Sequence, residues 1–507
     1  MDIHDRQHRE ILRDIACRAM LERELLPEFA AAALAEVQGL RSSGASMGGQ
    51  GRDLTALAWA SLDNHDSKDL DQLTVAEVLP GGRARILVAV ADVDALVRDG
   101  SAIDGHARHN TTTVYTPAQV FPMLPEELST DMTSLNPGEE RPAVVTEMVV
   151  GEDGEIEGSD VYEAKVRSRA KLAYETLGAW LVGEGPAPEA VASVDGLAET
   201  LRLQDRAARA MRDLRRARGA LDLQTIEARP VFEGDTVCEL RAEGRNRAKD
   251  IIQDLMIAAN GVAARYLSAV GYPVIRRVVR SPRRWNRIVQ LAAEQGQLLP
   301  EEPDARALEA FLALEKREDP LRFPDLSLSV IKLLGPGEYV AEPPGEDPPG
   351  HFGLAAKDYV HSTAPNRRYV DLITQRLLKA ALGKRPWPYT VEELGVLAEH
   401  CTRQENAVNK VERTALKAAA ALLLESRIGE EFDALVTGAA TKGTWVRLLT
   451  VPVEGRLTDG FPEVDVGDCL RVRLLSVDAE RGFIDFARAS ARAKGVSSRR
   501  GRPLRGA

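Results

Sequence analysis

The stretch on which the reading turns is SLDNHDSKDLDQL, residues 61–73, where Asp63, Asp66, Asp69 and Asp71 fall within nine positions. It follows the run LTALAWASL (54–62), so a strand ending at Leu62 delivers Asp63 and a short loop then presents Asp69 and Asp71. Carboxylates crowded this closely repel one another unless cations lie between them. Residues i and i+2 of an extended segment face the same side, so Asp69 and Asp71 can converge on one ion while Asp63 closes the site. Carboxylate oxygens are the hard ligands that Mg²⁺ prefers, and two such ions about 3.5–4 Å apart clamp the attacking and leaving oxygens in phosphodiester hydrolysis. An Asp-rich loop is also a common solvated turn, and this segment alone leaves both open.

Working outward, ARILVAVADV (84–93) is a further strand, and the catalytic portion begins at Asp53. Past about Ser168 helical spacing dominates, in AKLAYETLGAWL (170–181), RAKDIIQDLMIAANGVAARYL (247–267), RYVDLITQRLLKAAL (368–382) and NKVERTALKAAAALLLE (409–425). A mixed α+β domain over 53–428 is expected. Over 429–490, five short runs (EEFDALVTGAA, GTWVRLL, VEGRLT, DCLRVRLLSVD and GFIDFARA) are broken by Gly-containing turns and predict a small OB-type barrel, a fold that binds oligonucleotides. The basic stretch 491–507 carries no acid and is expected to be disordered, either an RNA-contacting tail or a solvated end. Ahead of the loop, residues 1–45 hold two helices, one with Ile11, Leu12, Ile15 and Met20 on its apolar face, the other opening at Pro27 and running through FAAAALAEV. The pair suits half of a helix-turn-helix or a hairpin packed on the main domain, and the Gly/Ser-rich stretch 46–52 is a flexible linker.

At 507 residues the chain exceeds what one hydrophobic core serves. Its 44% hydrophobic and 28% charged composition is that of a soluble globular protein, with no apolar run long enough to cross a bilayer, so no membrane partner is expected. The polar start MDIHDRQHRE lacks the apolar core of a secretory signal, and a cytoplasmic address is expected. Cys17, Cys238, Cys401 and Cys469 lie far apart with no C-x-x-C pair, which points to reduced thiols, not a disulfide framework or a zinc site. The eight histidines show no zinc spacing; His106 and His109 are assigned surface or packing roles. The net charge of −11 argues against a nucleic-acid partner, because phosphate neutralisation by Lys and Arg dominates such affinities. A basic channel enclosed in an acidic exterior would reconcile the two.

The acidic loop resembles the catalytic signature of the ribonuclease II and ribonuclease R family of RNB-domain exoribonucleases, D-x5-D-x-D-D, and the similarity extends from Asp53 to about Lys417. Its landmarks recur in order: VAVADV before Asp94, HNTTTVYTPAQVFPMLPEELS from His109, DLMIAANGVAARYL from Asp254, HFGL from His351 and YVHSTAPNRRYVDL from Tyr359. The resemblance implies a 3′→5′ exoribonuclease in RNA decay or 3′-end trimming. Such a hydrolase releases nucleoside 5′-monophosphates from single-stranded RNA with a free 3′ end, as a monomer, with two Mg²⁺ ions for which Mn²⁺ can substitute.

By the same resemblance, Asp63, Asp69, Asp71 and Arg367 are the catalytic set, with Arg367 matching the arginine that faces the scissile phosphate. The metal ligands are Asp63, Asp69, Asp71 and Gln72; the family carries a fourth carboxylate where this chain has Gln72, so a weaker second ion and a higher magnesium requirement are expected. Tyr115 and Tyr272 match aromatics that sandwich the last nucleotides, Glu412 a glutamate close to the active site, and Glu338 a residue that reads the ribose 2′-OH. The C-terminal barrel resembles an S1 domain. Family members usually carry two cold-shock OB domains ahead of the catalytic domain, and residues 1–52 are too short for one, so a shorter single-stranded 3′ lead is expected. Two other readings stay open: a catalytically inactive RNB-fold RNA-binding protein, favoured only by Gln72, and a ribonuclease R-like enzyme able to digest structured RNA.

Overall fold

The computed structural model describes residues 7–43, 51–346, 349–440, 443–459, 464 and 467–489; the expected basic tail (491–507) and most of the expected linker lie outside them. The first apolar-faced segment forms α1 (His8–Leu21), burying Ile11, Leu12, Ile15 and Met20 as its spacing predicts. The second helix, α2 (Ala31–Ser42), starts later than Pro27. The reason lies in Asn110, whose side chain accepts the Leu26 N–H at 2.9 Å and donates to the Leu26 carbonyl at 2.8 Å, holding the chain there out of helical geometry. Ala16, Ala19 and Met20 of α1 share a core with Val114, Phe121, Val408 and Val411, while Ala33 and Val37 of α2 are buried in a separate cluster.

Next come β1 (Arg52–Asp53), β2 (Ala60–Asp63), β3 (Gln72–Val78), β4 (Ala84–Ala91), α3 (Ala102–Asn110), the small hairpin β5 (Val114–Tyr115) and β6 (Val120–Phe121), and then β7 (Glu140–Val150), β8 (Ile156–Arg167) and β9 (Ala170–Ala173). Seven of these form one sheet in the order β1-β8-β7-β4-β3-β2-β9. Strand β1 runs parallel to β8 and β2 parallel to β9, while the other neighbours are antiparallel. The first residues of AKLAYETLGAWL are therefore strand and not helix, since β9 pairs with the free edge of β2 from Ala60 to Asp63.

Helices α4 (Tyr174–Val182), α5 (Glu189–Ser193), α6 (Leu197–Ala217), α7 (Arg247–Ala269), α8 (Trp285–Glu294), α9 (Ala305–Glu318), α10 (Phe323–Leu334), α11 (Tyr369–Leu382) and α12 (Val391–Leu424) follow. Leu255 and Val262 of α7 and Ile373 and Leu377 of α11 join Leu73, Val88 and Val145 of the sheet in the principal core. The same stretch of sequence also contains a ribbon, β12 (Val274–Val278) with β13 (Glu338–Glu342), and a hairpin, β10 (Glu227–Glu233) with β11 (Thr236–Glu243), which helical periodicity did not predict. In the hairpin Gly234, at φ 61°, supplies the left-handed turn residue.

The chain divides into two compact units: Glu10–Ile226 with Glu243–Ala415, which holds the seven-stranded sheet, and Met1–Arg9 with Glu227–Ala242 and Leu416–Ala507. In the second unit β14 (Glu431–Ala440), β15 (Gly443–Leu448), β16 (Glu454–Asp459), β17 (Cys469–Asp478) and β18 (Phe483–Arg488) close a barrel in the order β14-β15-β16-β18-β17. Closure removes the sheet edges and encloses Phe432, Val446, Leu457, Val472 and Phe486. Gly455 is obligatory there, because a Cβ would fall 2.4 Å from the Phe486 ring and 2.6 Å from the Ile484 carbonyl oxygen. The α+β class with a C-terminal five-stranded barrel and N-terminal helices is the predicted one. Among the described residues no helix is long and apolar enough to cross a membrane.

Candidate active site

Strand β2 ends on Asp63 at the edge of the site, and its carboxylate folds the following loop: Oδ1 accepts the Asn64 N–H at 2.7 Å and the Ser67 hydroxyl at 2.6 Å. The loop re-enters the sheet at Asp71, whose carbonyl accepts the Ala91 N–H at 2.9 Å and so extends the β3–β4 ladder. The Asp71 side chain, 2% exposed, meets a turn just ahead of α11. Arg367 Nε donates to Oδ2 at 2.8 Å and the Asn366 N–H to Oδ1 at 3.2 Å. That turn is tied to the chain after α3, since the Arg367 carbonyl accepts the Thr113 N–H and the Thr112 hydroxyl, each at 3.0 Å. Tyr115, on β5, points its hydroxyl at Asp69 Oδ2 from 3.5 Å, and its backbone N–H is held by Glu412 Oε1 of α12 at 2.8 Å. The tyrosine remains 44% exposed, which leaves its ring open to a stacking partner.

Burial pushes the Asp71 carboxyl up to about 6; Arg367 opposes this and the neighbouring Asp69 adds to it. Asp69 is raised by burial too, with Arg367 pulling it down and Asp63 pushing it up. Burial likewise raises Glu412, against the pull of the Tyr115 N–H. Among the described residues no group of three or more His, Cys, Asp or Glu side chains already surrounds one point, so the acids do not form a closed cage. Next to Asp71 in sequence, Gln72 Oε1, buried at the head of β3, has no hydrogen-bond partner. The carboxylate oxygens of Asp63 and Asp69 beside the buried Asp71, with the unsatisfied Gln72 oxygen next in sequence, are hard donors of the kind that suits a divalent ion such as Mg²⁺.

The structure thus brings Asp63, Asp69, Asp71, Arg367, Tyr115 and Glu412 together, with Gln72 following Asp71. Two further predicted residues make contacts with other partners. The Tyr272 hydroxyl donates to the Arg385 carbonyl, its ring partly buried against the principal core beyond the end of α7. Glu338, at the first position of β13, is ion-paired with Arg280. Arg368 pairs with Asp371 at 2.8 Å, the structural role open to the neighbour of Arg367. Asn366, absent from the predicted set, binds Asp71 through its backbone; its position between Pro365 and Arg367 was the one available signal.

Comparison with known families accords with this arrangement. Residues 51–384 match the RNB domain, and residues 430–489 match the RNase II-type exonuclease C-terminal S1 domain. This chain belongs to the RNB family. Among curated relatives, ribonuclease R of Aquifex aeolicus (strain VF5) is 31% identical over 467 residues, which cover 86% of this chain and 64% of that protein. The chain therefore spans less than two thirds of that relative's length. Among solved structures, the apo form of Mycoplasma genitalium RNase R superimposes with a TM-score of 0.83 at 24% identity, covering 94% of this chain and 78% of that one. The same M. genitalium protein has been solved with ribose methylated single-stranded RNA and with double-stranded RNA. Yeast Ssd1, described as a pseudonuclease, superimposes with a TM-score of 0.65 at 18% identity, covering 80% of this chain and 50% of that one. The RNB fold is thus shared by nucleases and a non-nuclease, and the side chains of the site must carry the functional argument.

Proposed function

We propose that this RNB protein is a 3′→5′ exoribonuclease that hydrolyses single-stranded RNA to nucleoside 5′-monophosphates with the help of Mg²⁺. The observation that carries this is the buried Asp71 carboxylate held by Arg367 Nε and the Asn366 N–H beside Asp69 and Tyr115. Water attacks the last phosphodiester phosphorus; the bond to the 3′-oxygen of the preceding nucleotide breaks, that oxygen takes a proton, and the terminal nucleotide leaves with its 5′-phosphate. Arg367, its Nε engaged by Asp71, has its two Nη groups for phosphate oxygens and opposes the negative charge that grows there. Tyr115 offers a stacking face to the terminal base, blind to sequence, and Glu412 holds that tyrosine by its backbone. Asp63, Asp69 and Gln72, with Asp71 beside them, would hold the divalent ion, which when bound supplies charge stabilisation and a more acidic water. The S1-type barrel adds a second RNA-binding surface.

The decisive experiment is a time course on 5′-labelled single-stranded RNA with Mg²⁺, with EDTA, and with Asp71→Asn. Shortening from the 3′ end that needs both metal and Asp71 is expected. Binding without shortening would favour the second reading, an inactive RNA-binding member, for which Gln72 in place of a carboxylate and the fold shared with a pseudonuclease speak. A labelled duplex with a 3′ overhang separates an enzyme that halts at structure from one that digests through it.

A further inference from the structure

Deepening the exonuclease reading, and resting on it for the effect on turnover, the geometry points to Thr133 and Ser134 as positioning residues that hold the acidic loop and the arginine turn in register. Residues Glu127–Met132 form a π-helical turn, an uncommon conformation often found beside functional sites. It closes where the Thr133 N–H reaches the Leu128 carbonyl at 3.0 Å. The next three residues grip both halves of the site. The Thr133 hydroxyl lies 2.6 Å from Asn366 Oδ1 and 2.8 Å from the Leu128 carbonyl, tying the turn that carries Arg367 to the end of the π-helix. Ser134 Oγ accepts the Leu70 N–H and donates to the Lys68 carbonyl, both at 3.0 Å, and the Leu135 N–H donates to the Leu70 carbonyl at 3.0 Å. Lys68 and Leu70 flank Asp69, and Leu70 leads directly into Asp71.

The bracket therefore closes a loop of contacts: the 133–135 segment to the acidic loop, the same segment to Asn366, and Asn366 with Arg367 back to Asp71. Thr133 and Ser134 are 2% and 0% exposed, so neither can touch RNA and both act only through the groups they hold. A displaced turn would leave Arg367 misaligned with Asp71, whereas Tyr115 keeps anchors of its own in Glu412 and in the core that buries Val114. Misplacement of a reacting group by about 1 Å can cost about 100-fold in rate.

The test uses the full-length protein, ¹⁵N-labelled, and reads two quantities. One is the Arg367 Nε–H resonance, assigned by its loss in Arg367→Lys; the other is the single-turnover rate of shortening of 5′-labelled RNA. Thr133→Val keeps the side-chain shape and removes the hydroxyl; Ser134→Ala removes the other anchor, and if it fails to fold Thr133→Val decides. Both are expected to shift or broaden the Arg367 resonance and slow turnover about 10- to 100-fold with RNA affinity unchanged, while Thr133→Ser retains both. Thr200→Val serves as a control: this buried hydroxyl of α6, bound to the Ala76 carbonyl at 2.9 Å, should lower the melting temperature and move neither quantity. Resonance and rate both within twofold of wild type in folded Thr133→Val would overturn the positioning role. A wild type that shortens no RNA while Thr133→Val still moves the resonance would sink the exonuclease reading and keep the bracket.

Discussion

At the scale of single residues, the pairing of Arg367 with Asp71 carries the most consequence. A guanidinium can hold a carboxylate through Nε and still offer its two Nη groups to a phosphate, whereas an ammonium group must divide one point charge between the two. Arg367→Lys is therefore expected to lower single-turnover hydrolysis about 100-fold while filter binding of RNA survives; unchanged turnover would remove Arg367 from the reaction. Gln72 makes the opposite kind of prediction. Its buried, unpartnered Oε1 can accept a cation but brings no charge, so Gln72→Asp should reduce the Mg²⁺ concentration giving half-maximal rate. An unchanged requirement would place Gln72 outside the surroundings of the ion.

Among the elements, the β5–β6 hairpin matters because two helices meet on it. Val114 and Phe121 are buried with Ala16 and Met20 of α1 and with Val408 and Val411 of α12, so the strand that carries Tyr115 is set by α1 behind it and by Glu412 at its backbone. Tyr115→Ala should weaken RNA binding by about 1–3 kcal/mol, the usual loss of one base–aromatic stack, read as a raised dissociation constant with little change in melting temperature. The connection between α1 and α2 depends in turn on Asn110, which pairs with both backbone groups of Leu26. Asn110→Ala leaves those groups without their partners and is expected to cost about 1–3 kcal/mol, seen as a lower thermal midpoint and earlier proteolysis within 22–30. Periodicity located α1, α7 and the barrel strands, whose burial is one-sided or regular. It missed β9 because a four-residue strand is stabilised by its partner's free edge and not by its own pattern, and it missed the β10–β11 hairpin, whose two strands pair with each other.

At the scale of the molecule, acid sensitivity follows from histidines kept neutral by burial. His106 is pushed down to about 4 by burial, and nearby His109 adds to the shift; its ring lies 4.1 Å from that of Phe29, and Asn110 is 3.2 Å from Nε2. A depressed histidine favours the folded state only while it is neutral. As pH falls below about 6.5 the unfolded chain takes up a proton that folded His106 refuses, so stability declines until the pH reaches about 4. The His106 share of that decline is about 2 kcal/mol between pH 7 and pH 5. Urea unfolding at the two pH values should show a smaller decline in His106→Gln than in wild type, and equal declines would contradict the assignment. His351, also pushed to about 4 by burial, with Arg277 adding to it, contributes in the same direction.

The sequence by itself determined the α+β class, the terminal barrel and the grouping of Asp63, Asp69 and Asp71, because each depends on spacing within one segment and local spacing is what a chain states directly. Arg367, Tyr115 and Glu412 became legible through the order of family landmarks, and the structure brings them to the same acids. Only the tertiary structure decided the rest. Asn366 and Asp71 are separated by 295 positions, and nothing local in TAPNRRY or in TDMTSLN shows that Asn366 meets Thr133 or that Ser134 grips Leu70. The partners of Tyr272 and Glu338 were settled in the same way: where a side chain at the end of α7 or the start of β13 points is set by what packs against that end, and no spacing within either segment carries that information.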